Sequence, residues 1–273
     1  METNYWSKLY NSFESDSKIL VYWNLFIALS IPFIIFINSR MGIDMSLIYT
    51  IITSIMFIYS FVCTIKLKGG NKLPWWTYPI FLVLIPIVAS YLVRWIGDDM
   101  TSGIVINSNP QQLKSASTED LKYSIFSAIR SGSEEVWRYS AIFSAMYFFQ
   151  KQLSKLYSCS LMKYLFLMIS FLIITFLFGW IHTLGYSNSY FNFDVIIVTG
   201  TTGLLFGLVM LLTRNVWSAI LTHILFNLYT TFRLNERSAF EQYNDILVST
   251  AILILLLYVC AVMLLAIKEK HRI

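Results

Sequence analysis

A chain of 273 residues that is 57% hydrophobic and only 13% charged is not an ordinary soluble domain, in which about a quarter of residues carry charge. Its mean hydropathy of +0.64 agrees. The net charge of +5 comes from basic residues scattered or near the ends of apolar runs, with no basic stripe interleaved with aromatics. That pattern speaks for membrane topology and lipid headgroup contact and against a nucleic-acid partner.

The first seventeen residues, METNYWSKLYNSFESDS, are polar and mixed. They lack the basic lead, short apolar run and small-residue cleavage site of a removable signal, so residues 1–18 read as a cytoplasmic segment and the first span as the insertion signal. A membrane-crossing helix needs about 20 mainly apolar residues. On that rule about eight spans are predicted, near 19–38, 45–65, 78–96, 123–149, 161–182, 194–212, 216–232 and 246–267. Pro79 and Pro86 imply an entry turn and a kink in the third. The longest polar insertion, 98–122, ends in STED, a capping pattern from which the fourth helix can start. The expected fold is an all-α polytopic bundle, one membrane domain over 19–267 with a catalytic core at 123–232 and a cytoplasmic tail at 268–273.

With an even number of spans both termini share a side. That side collects twelve Lys and Arg residues of the short loops and tails against five on the other, so both termini are expected in the cytoplasm. Cys63, Cys159 and Cys260 lie far apart in or beside apolar runs and read as small apolar filler, with no disulfide framework or CxxC knot.

Ionisable side chains inside spans are costly and stand by default as functional candidates. Three groups qualify. In SGSEEVWRYS, residues 131–140, Arg130, Glu134 and Arg138 repeat at i, i+4, i+8 and share a helix face, while Glu135 points about 100° away. The bland alternative for that face is a self-neutralising ladder with Glu134 held between two arginines. In FGWIH, His182 closes the fifth span; alone, it reads more simply as an interfacial histidine. In THILFN, His223 and Asn227 are four apart and face the bundle interior, where interhelical hydrogen bonding would also explain them. Together, two histidines, a carboxylate pair and an amide on three spans supply the parts for activating water: a base, groups that hold the water or bind a metal, and donors to an oxyanion.

At these residues the sequence resembles the CAAX protease and bacteriocin-processing family of intramembrane proteases, also called the Abi family. Its pattern is EExxxR on one span, FxxxH on the next and HxxxN or HxxxD on a later one. Here Glu134-Glu135 with Arg138, Phe178 to His182, and His223 to Asn227 stand in those places, in order. The run GLLFGLVMLLTRNVWSAILTHILFNL, 203–228, carries the strongest likeness. Only Val136 and Trp137 separate the glutamates from Arg138, where the family has three residues. If Arg138 sets the register, Glu134 takes the second glutamate's place; if the glutamates set it, Arg138 comes one residue early and Gly132 permits a compensating distortion.

The resemblance implies peptide-bond hydrolysis within the membrane. A glutamate of the pair activates water, His182 and His223 assist, Asn227 and a histidine stabilise the oxyanion, and Arg138, Arg130 and Phe178 support them. No cofactor is required; a divalent metal such as zinc, if one is used, would be held by His182 and His223. The expected partner is a short peptide or a membrane-proximal protein segment, within a bacterial cell membrane, for peptide or bacteriocin maturation or self-immunity. The alternative from another class is a catalytically silent relative acting as a membrane scaffold or regulator. HExxH, GxGD and GxSG are absent, as is an inverted repeat of a transporter. A shared site requires the fifth helix to run past residue 182 or to sit deeper than its predicted bounds.

Overall fold

The computed structural model describes residues 12–67, 80–100, 118–186 and 191–235. Over them the chain is an all-α membrane bundle. Helix α1 spans Lys18–Met41 and α2 spans Ser46–Leu67. A π-helical turn at Ile80–Leu84 leads into α3, Ile85–Met100. Then come α4, Thr118–Ser131; α5, Ser133–Gln152; a single turn, α6, Ser154–Tyr157; α7, Ser160–Tyr186; α8, Phe193–Thr213; and α9, Val216–Asn235. The span expected near 246–267 lies outside the described residues.

Helices α1, α7 up to Leu184, and α8 are long and apolar enough to cross a membrane, and shorter apolar helices lie at Ser46–Val62, Leu82–Leu92 and Val216–Leu228. Large apolar side chains such as Phe33, Leu172, Ile173 and Phe176 face outward, while Asn24, Glu135, Arg138 and His223 are buried. A soluble fold sorts these groups the other way, because water rather than lipid is its surroundings.

The polar interior is tied together by side chains that rescue backbone groups. Pro32 inside α1 has no N–H, which leaves the carbonyl of Ala28 without its helical donor. The Trp137 indole Nε1 of α5 donates to that carbonyl at 2.9 Å. Asn24 donates to Tyr59 Oη at 2.7 Å, clamping α1 to α2. The segment before α1 docks on α5, α6 and α7: Phe13 is buried against Tyr139, Tyr139 donates to the Ser12 carbonyl, and Glu14 accepts from Tyr157 Oη at 2.6 Å and pairs with Lys163. Between α1 and α2, Gly42 takes a left-handed φ of 66°, and Asp44 accepts from the Ser46 backbone N–H, which holds its carboxyl below the usual range. The π-helical turn sits just ahead of Pro86, where the missing N–H loosens the ladder.

Two expectations change. The fourth span is two helices, not one from 123 to 149. At Gly132 the ladder tightens: Gly132 N–H donates to the Ile129 carbonyl and Glu135 N–H to the Gly132 carbonyl, both spaced by three residues. Ser131 Oγ takes the Ala128 carbonyl at 2.6 Å. The glycine is required by close approach: a Cβ there would lie 2.8 Å from Ile224 Cγ1 of α9. The second change is Cys159, which is free and exposed at the α6–α7 corner rather than packed as filler.

Candidate active site

The site forms where α5, α7 and α9 meet around the break at Gly132. That break puts Glu134 and Glu135 in the first turn of α5, where the helix dipole favours negative charge. The two carboxylates diverge as consecutive residues on a helix must. Glu135 points inward, with a fully buried side chain. Its Oε1 accepts from His223 Nδ1 at 2.9 Å, and its Oε2 is paired with Arg138 Nη1. Glu134 points to the open side, where its Oε2 lies 3.8 Å from His182 Nε2. The Glu134 and His182 side chains are 20% and 18% exposed, so this pair is partly open, whereas Glu135 is sealed.

The histidines are fixed by their second nitrogens and by stacking. His182 Nδ1 meets the Phe178 carbonyl at 2.8 Å, so this nitrogen carries a proton and donates. His182 lies on the Phe178 ring with centroids 4.5 Å apart. The same ring carries the Arg138 guanidinium, 4.4 Å from its centroid. Phe178 therefore touches both the buried charge and the open histidine. Helix α7 runs on to Tyr186, four residues beyond its expected end at 182, which seats His182 within the helix instead of at its tip. His223 stacks on Phe206 of α8 at 4.3 Å. Asn227, one turn along α9, donates from Nδ2 to Ser131 Oγ at 2.6 Å.

The structure thus brings Glu134 to His182, and Glu135 to His223 and Arg138. It does not form the ladder on Glu134. Arg138 turns to Glu135, because i, i+3 is also a same-face spacing on a helix. Arg130 sits before the break, whose tightened turn changes its phase relative to α5, and it lies over Tyr49 at 4.8 Å and near Phe126. Ser131 and Phe206 were not singled out in the sequence. A serine ending a helix and a phenylalanine in an apolar run carry no local signal; only the approach of α9 gives them a role.

The donor set does not fit a protein-held zinc. A catalytic zinc takes three protein ligands, and among the described residues no three His, Cys, Asp or Glu side chains are arranged to hold a metal. His223 Nδ1 and both Glu135 oxygens are engaged with one another and with Arg138.

Residues 121–229 match the family model described as Rce1-like, the type II CAAX prenyl endopeptidase Rce1-like family. Over that stretch the chain is similar to the Rce1-like domain. The match runs from α4 through most of α9 and contains every residue of the site just described. The Rce1-like domain is that of a protease family, which agrees with a membrane bundle holding a carboxylate and a histidine in its interior and a second such pair partly open beside them. No curated protein and no solved structure matches the chain.

Proposed function

We propose that the protein is an intramembrane endopeptidase in which Glu134 and His182 activate the attacking water. The observation that carries this reading is the unequal exposure of the two glutamates beside two histidines. Glu135 has both oxygens committed and no solvent access, so it is not available to a reacting water. Glu134 and His182 stand 3.8 Å apart, too far for a direct hydrogen bond and suited to one bridging water. Because His182 Nδ1 donates to the Phe178 carbonyl, neutral Nε2 is an acceptor facing the Glu134 carboxylate. A water donating one hydrogen to each keeps its oxygen lone pairs for a carbonyl carbon.

In the reaction, Glu134 takes a proton as the water oxygen bonds to the scissile carbonyl carbon. The carbonyl oxygen gains the negative charge, and Asn227, oriented by Ser131, is its donor. Collapse breaks the C–N bond, and the proton on Glu134 passes to the leaving amine. Glu135 and Arg138 act behind this step: Glu135 fixes His223 as Nδ1 donor, in the manner of an orienting carboxylate. No step runs through a metal.

The substrate class is a peptide or a membrane-proximal protein segment, in keeping with the prenyl endopeptidase description of the family. Peptide or bacteriocin maturation and self-immunity are the roles we assign, in a bacterial membrane. The docked segment 12–14 lies on the same side as Lys151, Lys155 and Lys163, which supports a cytoplasmic N-terminus. Purified protein in lipid nanodiscs, incubated with a peptide library with and without chelator, tests the reading. Cleavage that survives chelation is expected. An inert wild type would leave the scaffold alternative, which the short glutamate-to-arginine spacing favours.

A further inference from the structure

Arg138 is buried completely yet uses only part of its guanidinium. Nη1 serves Glu135, while Nε and Nη2 have no hydrogen-bond partner. A buried charged donor left unpaired costs more than a typical net hydrogen bond returns. The Phe178 ring at 4.4 Å offsets part of that cost through its face but accepts no N–H in plane.

The walls around those donors are specific. On α7, Phe171, Thr175 and Phe178 follow one face at i, i+4, i+7. On α8, Gly203 and Gly207 let the arginine approach the backbone: a Cβ at 203 would lie 2.8 Å from Arg138 Nη2, and one at 207 would lie 3.3 Å from Arg138 Cδ. The same two positions meet the Phe178 and Phe171 rings, so the guanidinium lies along the glycine stripe between those rings. Thr175 sits between the two phenylalanines, is 8% exposed, and its Oγ1 also lacks a partner. Threonines in these helices ordinarily bond the carbonyl four residues back, as Thr199, Thr202 and Thr222 do. Thr175 does not.

The geometry points to a buried hydration site between α5, α7 and α8, in which ordered water joins Arg138 Nε and Nη2 to Thr175 Oγ1. Each polar partner is at least nine-tenths buried, and the water has the two to four partners that buried waters take. Thr175 is then a positioning residue. Through the water it orients Arg138, and through Arg138 the carboxylate that holds His223. Gly203 is kept small by Nη2 and Phe178.

The kinetic consequence rests on the protease reading; the hydration site does not. The test is an experimental structure of the full chain, at a resolution that reveals ordered water, for wild type and Thr175→Val, with Thr175→Ser as the conservative control. Wild type and Thr175→Ser are expected to show solvent within hydrogen-bond distance of Arg138 Nε or Nη2 and the hydroxyl; Thr175→Val is expected to lose or displace it. A dry gap in wild type, or a guanidinium satisfied by protein groups alone, overturns the site. In peptide hydrolysis Thr175→Val should lower kcat about tenfold at unchanged KM, the scale seen when an outer hydrogen-bond partner of an active-site group is removed, and Thr175→Ser should restore it. Equal kcat in all three overturns the positioning role, whereas an inert wild type with the water in place counts against protease activity alone.

Discussion

Glu134 and Glu135 are neighbours in the chain and opposites in the fold. One shares a half-open space with His182; the other is sealed with Arg138 and His223. The helix turns about 100° per residue, so a single step is enough to move a carboxylate from a solvent-reached face to the bundle core. Charge in a membrane interior is tolerated in two ways: by access to water or by complete pairing. This pair uses both at once, and in the proposed mechanism that divides chemistry from support.

The largest effect expected is on that division. Glu134→Gln should lower kcat for peptide hydrolysis by about 10²- to 10⁴-fold, the scale of a lost general base, with the thermal midpoint unchanged. Glu135→Gln should lower the midpoint as well as the rate. Identical behaviour of the two variants would erase the distinction. Next is Arg138→Met, which strands the Glu135 carboxylate without its cation. Loss of one member of a buried pair costs about 3–5 kcal/mol. Adding Glu135→Leu should recover much of it, and denaturation in detergent measures both.

The break that sets the phase of the pair is tested by Gly132→Ala. The new methyl meets Ile224 and Ile220 side chains at 2.8–3.0 Å. A cost of about 1–3 kcal/mol is expected from overpacking, smaller when combined with Ile224→Ala. The smallest effect expected lies farther out. Trp137→Phe removes the indole donor to the Ala28 carbonyl, a loss of about 0.5–1.5 kcal/mol. It should shrink in a Pro32→Ala background, where the helix supplies its own N–H to that carbonyl.

Much of the bundle is legible in the sequence because lipid imposes a simple rule: apolar runs of spanning length become helices. The runs near 19–38, 45–65, 194–212 and 216–232 meet helices within a few residues of their ends. Span four was harder. Apolar stretches flank residues 130–135 on both sides and read as one span, and a glycine in a helix signals nothing by itself; only Ile220 and Ile224 pressing from α9 show why it is there. The i, i+4, i+8 spacing of Arg130, Glu134 and Arg138 predicts a ladder that presupposes an unbroken helix, and it fails for that reason.

The sequence by itself determined that the chain lives in a membrane, that the polar residues within its apolar spans concentrate at residues 130–138, 182, 223 and 227, and that their order resembles that of a protease family. Composition and spacing are properties of the chain, and lipid reads them locally. Only the tertiary structure decided that Arg138 belongs to Glu135, that His182 belongs to Glu134, and that Ser131 holds Asn227. The last two pairings join helices far apart in sequence, and they depend on the turn at Gly132 and on the close passage of α7 and α9. No local pattern encodes that geometry, because it arises when three helices compete for the same buried polar groups.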